Sequence, residues 1–354
     1  MKIALSAITV VVFFIACNNA SDNKEPAMDD SKNQNGVIVT ADNFVRAESD
    51  MYFAGVLKKP GSSLGKIIHD REIASVDNQP VIRYNRDVLV SSVLFDLDAG
   101  PATIIIPDPG KRFFSILVVT QDHYNPIAEF GGGTYTLTKE NVGTRYALVA
   151  LRLFVDPNDP KDMKQAHDLQ DAVTVNQPGG PGKLELPVWD SVSQNRIRDS
   201  LLIVSKNMID FNGAFGTKDQ VDPAKHLVGT ASGWGGNPSS VAVYKNFTPA
   251  KNDGITKHKL HVPANVPVDA FWSVAMYNAK GYFEKNDLGV YNLNSITSKK
   301  NKDGSVDIQF GGCDGKTPNC IPIVNGWNYL VRLYRPHKEI MDDTWKFPEP
   351  QELK

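Results

Sequence analysis

The sequence has little net charge, few cysteines and only one long apolar run, and each shortage excludes a class of protein. Its 38 Lys and Arg residues nearly balance its 40 Asp and Glu residues, which leaves a formal net charge of -2. A protein that binds nucleic acid or anionic lipid through surface charge carries a clear basic excess. We therefore expect no nucleic-acid partner.

Motifs for catalysis and cofactor binding are also scarce. The sequence contains no H-E-x-x-H motif and no dinucleotide fingerprint, and nothing in it identifies a cofactor. Residues 61–65 (GSSLG) have the G-x-S-x-G pattern, but a nucleophile elbow needs a strand before it, and here a predicted helix and Pro60 precede it. We interpret this segment as a turn.

His258 and His261 lie three residues apart in a predicted strand, so their side chains point to opposite faces, which favours two surface histidines over a shared metal site.

The one long apolar run lies at the start of the chain. Lys2 is followed by residues 3–16, which are apolar apart from one Ser and one Thr; this is typical of a signal peptide and is shorter than the roughly 20 residues of a membrane span. Residues 13–16 and Cys17 resemble the cleavage box of bacterial lipoproteins. The resemblance implies removal of residues 1–16 and lipidation of Cys17, which attaches the protein to a membrane of the bacterial cell envelope, on the periplasmic face or the cell surface. The alternative is an ordinary signal peptide that ends near a cysteine.

The other two cysteines, Cys313 and Cys320, lie in a turn-rich loop. Disulfides persist in exported proteins, and the Gly, Asp and Pro residues between positions 311 and 319 allow the chain to bring the two sulfur atoms together. We predict a disulfide that closes a short loop. A metal site is the alternative, but it needs further Cys or His residues, and none lies close in the sequence.

Hydrophobic periodicity divides the rest of the chain into two β-rich parts with helices between them. Helical spacing and capping residues predict helices at 40–58, 162–173 and 191–209. Short β-branched and aromatic runs between turn signals predict eleven strands, at 88–97, 102–106, 113–119, 134–137, 145–155, 241–247, 257–262, 271–277, 289–293, 306–310 and 327–334. Strands at this spacing are typical of antiparallel sandwiches.

Several runs on these strands resemble two known families. Residues 84–89 (YNRDVL), residues 95–101 (FDLDAGP) and the pair Arg112 and Phe113 resemble the domain-of-unknown-function family numbered 1254. Its usual partner, the family numbered 1214, is similar to the runs 271–274 (FWSV), 277–282 (YNAKGY), 303–305 (DGS) and 332–336 (RLYRP). The resemblance implies a mostly β chain with a few helices, in which helical segments link two tandem antiparallel modules of β-sandwich or jelly-roll type. It implies no particular activity.

These observations predict five segments along the chain. They are a signal peptide (1–16), a disordered tether (17–36), an N-terminal β module (37–176), a helical connecting segment (177–235) and a C-terminal β module (236–354). The tether is rich in Asn, Asp, Lys and Ser and has almost no large apolar residue, so it lacks the material for a packed core.

Polar residues at the end of one predicted strand are the first candidate site. Asp122, His123 and Tyr124 come shortly after residues 113–119, at a strand end, where a rigid scaffold presents polar groups to a ligand. They offer an acceptor, a group that titrates near neutral pH and an amphipathic donor. Asp122 and His123 are therefore candidate catalytic residues and Tyr124 a candidate ligand contact. The alternative is a plain turn before Pro126 with an exposed His123.

Two further groups of residues have a composition that suits either a ligand contact or a turn. Glycines surround Trp234 and precede Asn237, which allows a ligand to approach the backbone and the aromatic ring closely, although a tight turn has the same composition. The polar residues at 83–87 (RYNRD) are interpreted as an ion pair on the surface at the start of a strand.

Clefts between domains are common ligand sites, and this favours one functional hypothesis. The chain is expected to be a lipid-anchored envelope protein that binds a small-molecule or polymer ligand between its two β modules, with the cleft lined by Asp122, His123, Tyr124, Trp234 and Asn237. One alternative is a hydrolase that uses Asp122 and His123 as acid and base, with or without a metal. Another is a structural or interaction protein without a pocket. The sequence leaves open whether the protein is an enzyme.

Overall fold

Two pairs of β-sheets form the framework of the protein. The computed structural model describes residues 36–79, 81–208 and 210–354, so the predicted signal peptide, Cys17 and the tether up to residue 35 lie outside the described residues. The helices and strands follow in the order α1 (Phe44–Leu57), β1 (Ile68–His69), β2 (Val88–Asp96), β3 (Ala102–Ile106), β4 (Phe114–Thr120), β5 (Ala128–Phe130), β6 (Gly133–Leu137), α2 (Lys139–Val142), β7 (Tyr146–Phe154), α3 (Pro160–Asp171), β8 (Thr174–Asn176), α4 (Ser191–Ser205), α5 (Pro223–Gly233), β9 (Ala242–Phe247), β10 (His258–Val262), β11 (Trp272–Tyr277), β12 (Asn292–Asn294), β13 (Val306–Phe310), β14 (Cys320–Ile321), β15 (Asn328–Tyr334), α6 (Lys338–Met341) and β16 (Gln351–Glu352), with a short 3-10 helix at Leu97–Ala99.

The first pair of sheets is built from the N-terminal part of the chain. Sheet A has the strand order β1-β2-β7-β4-β5, and sheet B has the order β6-β3-β8. All of their neighbouring strands are antiparallel, and the register places Val93 of β2 and Val118 of β4 on either side of Val149 of β7. Because side chains alternate along a strand, these three valines share one face of sheet A, which packs against Ile104 of sheet B in a common hydrophobic core.

The second pair of sheets is built from the C-terminal part. Sheet C has the order β12-β11-β15-β9, and sheet D has the order β14-β13-β10-β16. Neighbouring strands are antiparallel except for the parallel pair β13 and β14. Val274 and Val331 of sheet C pack with Leu260 and Ile308 of sheet D in a second core, which also buries Trp327 completely.

The outer faces of sheets A and C face each other through an aromatic cluster. Phe154 of sheet A lies 4.6 Å from the ring of Phe271, which stacks on Tyr334 of sheet C at 4.3 Å. Phe113 contacts the rings of both Phe271 and Tyr334. The central strands are therefore buried on both faces, which explains why β4 is an uninterrupted run of buried residues. Strand β10 of sheet D, by contrast, alternates between buried and exposed residues.

Helix α1 packs on sheet A and is itself covered by α4 and α5. Phe53 of α1 packs on Leu117 and Leu148 of sheet A, and α1 also contacts α4 and α5. The side chain of Asp222 caps α5 by accepting from the backbone N–H of Lys225, and a proline occupies the first turn. Among the described residues, no helix combines the length and the apolar composition that a membrane crossing needs.

The structure confirms the predicted fold class, a mostly β chain of antiparallel sheets with a few helices. The predicted disulfide is also confirmed, since a bond joins Cys313 and Cys320. The sequence did not predict α5, and the strand predicted at 289–293 is shorter and displaced, at Asn292–Asn294.

One prediction about the histidines needs correction. His258 and His261 lie on opposite faces of β10, as expected, but only His261 is at the surface. His258 is 3% exposed and packs against the ring of Trp327.

Residues 61–65 follow α1 and contain no strand or helix, so the context of a nucleophile elbow is missing there.

Candidate ligand-binding cavity

A cavity of about 250 Å³ lies between the outer faces of sheets A and C. Alternation along the strands determines which side chains reach it. On sheet A, Val90 of β2 and Ala150 and Arg152 of β7 line the cavity, while their sequence neighbours point into the core against sheet B. On sheet C, Tyr244 of β9 and Arg332 of β15 line it from the other side. The alternation of side chains along these strands therefore determines which residues form the wall.

The segment that follows α5 forms another part of the wall and includes the predicted residue Trp234. Its indole N–H donates to the hydroxyl of Ser49 over 3.1 Å, and its ring stacks on Tyr52, with ring centroids 4.4 Å apart. Both partners belong to α1. Trp234 is thus a fixed aromatic surface at the cavity.

Asn237 also lines the cavity, and it connects the two sheets. Its side-chain N–H donates to the hydroxyl of Tyr244 over 2.8 Å, and its carbonyl oxygen accepts from Nη1 of Arg152 over 3.3 Å. Nη2 of Arg152 donates to the backbone carbonyl of Gly235 over 2.6 Å. These contacts hold the Arg152 guanidinium in place without a carboxylate.

The other three predicted residues, Asp122, His123 and Tyr124, are not among those that line the cavity. The carboxylate of Asp122 accepts from Nε and Nη2 of Arg46, a residue of α1, over 2.8 and 2.6 Å. Tyr124 stacks on the ring of His226, with centroids 4.9 Å apart. The structure therefore separates the predicted site into two places.

His123 is completely buried, and both of its ring nitrogens are occupied. Nε2 accepts from the backbone N–H of Gly235 over 2.8 Å, so the proton lies on Nδ1, which donates to the hydroxyl of Thr230 over 2.8 Å. That hydroxyl in turn donates to the carbonyl of His226. The burial of His123, and the charge of His226 as a smaller cause, hold its pKa well below the usual range. This geometry fits a structural residue that ties the β4–β5 turn to α5, and it leaves no free nitrogen for acid–base catalysis.

Arg332 is the most deeply buried charge at the cavity. It is 2% exposed, and its Nη2 donates to the backbone carbonyl of Arg83 over 2.7 Å and to the hydroxyl of Tyr277 over 2.8 Å. Its Nη1 is buried and has no hydrogen-bond partner among the described residues. Such an unpaired buried donor carries a large desolvation cost.

The polar residues at 83–87 do not form the predicted surface ion pair. Arg83 and Asn85 line the cavity, and Arg83 donates to the side-chain carbonyl of Asn328 over 3.1 Å. Asp87 is 1% exposed and accepts from the amides of Asn292 and Asn294 through Oδ1. The interpretation was wrong because the segment is covered by sheet C, which the sequence pattern of one strand does not reveal.

Two tyrosines add hydroxyl donors to the wall. The Tyr334 hydroxyl accepts from the amide of Asn85 over 2.7 Å, and the Tyr244 hydroxyl accepts from Asn237. Neither hydroxyl donates to a described residue, so both hydrogens are available to a ligand. Burial raises the pKa of Tyr334, which keeps its hydroxyl protonated at neutral pH.

The cavity approaches solvent near Lys59 and Asp70. These two lining residues form an ion pair of 2.8 Å, and about a third of each side chain is exposed. They are the charged residues at the margin, whereas the arginines lie deeper.

The predicted candidates did not include Arg152 or Arg332. Each is a charged residue inside a strand that is otherwise apolar, at Tyr146–Phe154 and Asn328–Tyr334. Arginine is rarely buried without a partner, so its position in such a run was the available signal. No group of three or more His, Cys, Asp or Glu residues within the described part of the chain has the spacing of a metal site.

The fold and the cavity define a protein of two β modules. The cavity between the modules has a wall that is partly apolar and partly polar. Residues 64–177 match the family described as "Protein of unknown function (DUF1254)", and residues 242–338 match "Protein of unknown function (DUF1214)". The two matches lie in the N-terminal and C-terminal parts of the chain, in the order that the sequence resemblance predicted. No curated protein matches it.

Two solved structures are similar in fold. The VPA0106 protein from Vibrio parahaemolyticus is 18% identical, with a TM-score of 0.68 over 89% of this chain and 98% of that one. A putative uncharacterized protein from Burkholderia cenocepacia is 12% identical, with a TM-score of 0.52 over 89% of each chain. At these identities the similarity concerns the fold alone.

Proposed function

We propose that this protein binds a small, largely apolar organic molecule in the cavity between sheets A and C. The observation that carries the proposal is the wall itself, in which Val90, Ala150, Leu330 and Trp234 surround an open volume. Ligand sites are commonly apolar cavities with a few fixed polar groups, placed between domains.

The volume limits the size of the ligand. A cavity of roughly 150 Å³ accommodates a benzene molecule, and this cavity has about 250 Å³. A single ring with a short substituent, or a branched aliphatic chain of similar size, fits that volume. A polymer would need to extend past Lys59 and Asp70 into solvent.

A substitution that fills the cavity tests this proposal. We expect phenol, indole, benzamide or benzoate to raise the melting temperature of the wild type, because a ligand at 100 times its Kd stabilises a protein by about 2.7 kcal/mol. Ala150→Phe places a ring in the cavity and should abolish the response. Ile105→Phe is the matched control, since Ile105 is an exposed strand residue of sheet B. If wild type and Ala150→Phe respond identically to every compound, the cavity is not the binding site.

We also propose that the protein is anchored in the bacterial cell envelope by a lipid on Cys17. The apolar leader, the box before Cys17 and the disulfide, which is typical of exported proteins, support this location. Cells grown with a radiolabelled fatty acid should label the full-length protein but not a Cys17→Ser variant. An unlabelled wild-type product that is released in soluble form would contradict the anchor.

A further inference from the structure

The charges on the cavity wall do not balance. The charged residues that line it are Lys59, Asp70, Arg83, Arg152 and Arg332. Lys59 and Asp70 neutralise each other in their ion pair. Within the described chain, no carboxylate lies within ion-pair distance of any of the three arginines. Since an arginine side chain remains protonated in proteins, the wall carries uncompensated positive charge.

Arg332 shows this most clearly. A buried cation is costly unless a counter-charge or a full set of hydrogen bonds compensates it. Arg332 is 2% exposed, yet its Nη1 lacks a partner in the described structure. Asp87 is close enough to favour the charged form of Arg332, and its Oδ2 is buried without a hydrogen-bond partner in the described structure, but the two side chains form no ion pair.

Arg152 is compensated only in part. Its contact with the carbonyl of Gly235 places the guanidinium just beyond the C-terminus of α5, where a helix dipole favours a positive charge. The other contact is to the neutral amide of Asn237. The remaining N–H groups of Arg152 donate to no described residue.

The neutral groups nearby also lack acceptors for their protons. The hydroxyls of Tyr244 and Tyr334 accept from Asn237 and Asn85 and have their hydrogens free. Asn237 bonds both Arg152 and the Tyr244 hydroxyl, and Tyr334 lies within electrostatic range of Tyr244, Arg332, Asp87 and Arg152, so these donors lie in one part of the cavity. A ligand group that satisfies them must be an acceptor with several lone pairs and a negative charge.

On the basis of the binding function proposed above, we propose that the ligand is a small organic carboxylate whose acid group binds Arg152 and the hydroxyls of Tyr244 and Tyr334. Its apolar body lies against Trp234 and Ala150. The guanidinium fork matches the geometry of a carboxylate. A dianionic phosphate fits less well, because the helix end at the cavity is the C-terminus of α5, and a helix C-terminus repels a second negative charge.

Pairs of a carboxylate and its amide test whether binding requires a negative charge on the ligand. Binding is measured by isothermal titration with benzoate and benzamide, with cyclohexanecarboxylate and its amide, and with phenylphosphonate. We expect each carboxylate to bind at least about tenfold more tightly than its amide, which is the range that a charge-assisted hydrogen bond supplies. Phenylphosphonate should bind more weakly than benzoate at a pH where it is dianionic.

Substitutions at the polar end identify the residues. Arg152→Met should lower the affinity for benzoate about 10- to 100-fold and leave that for benzamide within about threefold. Tyr244→Phe removes one donor with little change in shape and should lower the affinity for benzoate about 3- to 10-fold. Arg196→Met is the matched control, because Arg196 is exposed on α4, and it should bind both compounds like the wild type.

The outcomes separate this inference from the proposed function. If amides bind as tightly as acids, and Ala150→Phe abolishes both, the cavity binds a neutral ligand and the carboxylate assignment is wrong. If phenylphosphonate binds more tightly than both carboxylates, the ligand is a phosphate-type anion and the assignment is also wrong. If no compound binds to the wild type, the proposed function fails and the carboxylate assignment fails with it.

Discussion

Replacement of His123 by Asn tests the role that the structure gives to this buried ring. His123 has a positive φ of 61°, a conformation that Asn tolerates well, so the substitution removes side-chain contacts without adding backbone strain. It breaks the bonds to Thr230 and to the N–H of Gly235, worth about 1 to 1.5 kcal/mol each. It also removes a ring that packs on Trp234 and Phe215, worth about 1 to 2 kcal/mol. The free energy of unfolding should fall by about 4 kcal/mol in total at about pH 7.5.

The pH dependence gives the sharper test. The folded protein keeps His123 neutral because its pKa is held well below the usual value, whereas in the unfolded chain it takes up a proton near pH 6.5. The stabilisation is therefore complete above that pH and is lost as the pH falls, by about 1.4 kcal/mol per pH unit. His123→Asn lacks this titration, so its deficit against the wild type should shrink by about 2 kcal/mol between about pH 6.5 and pH 5.

Urea denaturation of both proteins at several pH values measures the difference. His69, whose pKa is lowered mainly by burial, and Asp50, whose pKa is raised mainly by burial, titrate in both proteins and cancel in the comparison. Ile105→Ala is the matched control, because Ile105 is exposed and carries no titratable group, so its loss should leave the pH profile parallel to that of the wild type. A deficit of His123→Asn that stays constant from about pH 7.5 to pH 5 would refute the buried, neutral ring.

Two further predictions concern stability. Replacing both Cys313 and Cys320 by Ser should lower the free energy of unfolding by about 2 to 3 kcal/mol in a denaturation experiment, since the disulfide closes a short loop; a thiol titration of the wild type that finds both thiols free without reductant would contradict it. Asp96→Ala should cost about 3 kcal/mol, because the buried carboxylate accepts two bonds from Arg145, whereas Asp98→Ala, at a more exposed carboxylate, should cost less than about 1 kcal/mol. Equal losses for the two aspartates would contradict this assignment.

The sequence predicted the elements better than it predicted their assembly. The strands at 88–97, 102–106 and 145–155 correspond to β2, β3 and β7, because β-branched runs between turn signals reflect local chain chemistry. Helix α5 was missed because Gly229, Thr230 and Gly233 give it a low helix propensity. The aspartate and proline at its start were the signal that could have identified it.

The candidate site was likewise predicted only in part, because the sequence does not reveal which elements pack together. Trp234 and Asn237 line the cavity, whereas His123 does not line it, has both ring nitrogens bonded and packs on Trp234 from its buried position. A strand end carries polar residues for structural as well as for functional reasons, and one sequence does not distinguish them. Arg152 and Arg332 come from strands that are about 180 residues apart in the chain. Only the packing of sheet A against sheet C brings them to one cavity.

A ligand with a heavy atom tests the central claim most directly. Crystals soaked in para-bromobenzoate should give one strong anomalous bromine peak in the cavity near Ala150 and Trp234, with the carboxylate in hydrogen-bond contact with Arg152. A soak at a saturating concentration that leaves the cavity empty, or that places the bromine only at the protein surface, would contradict the account.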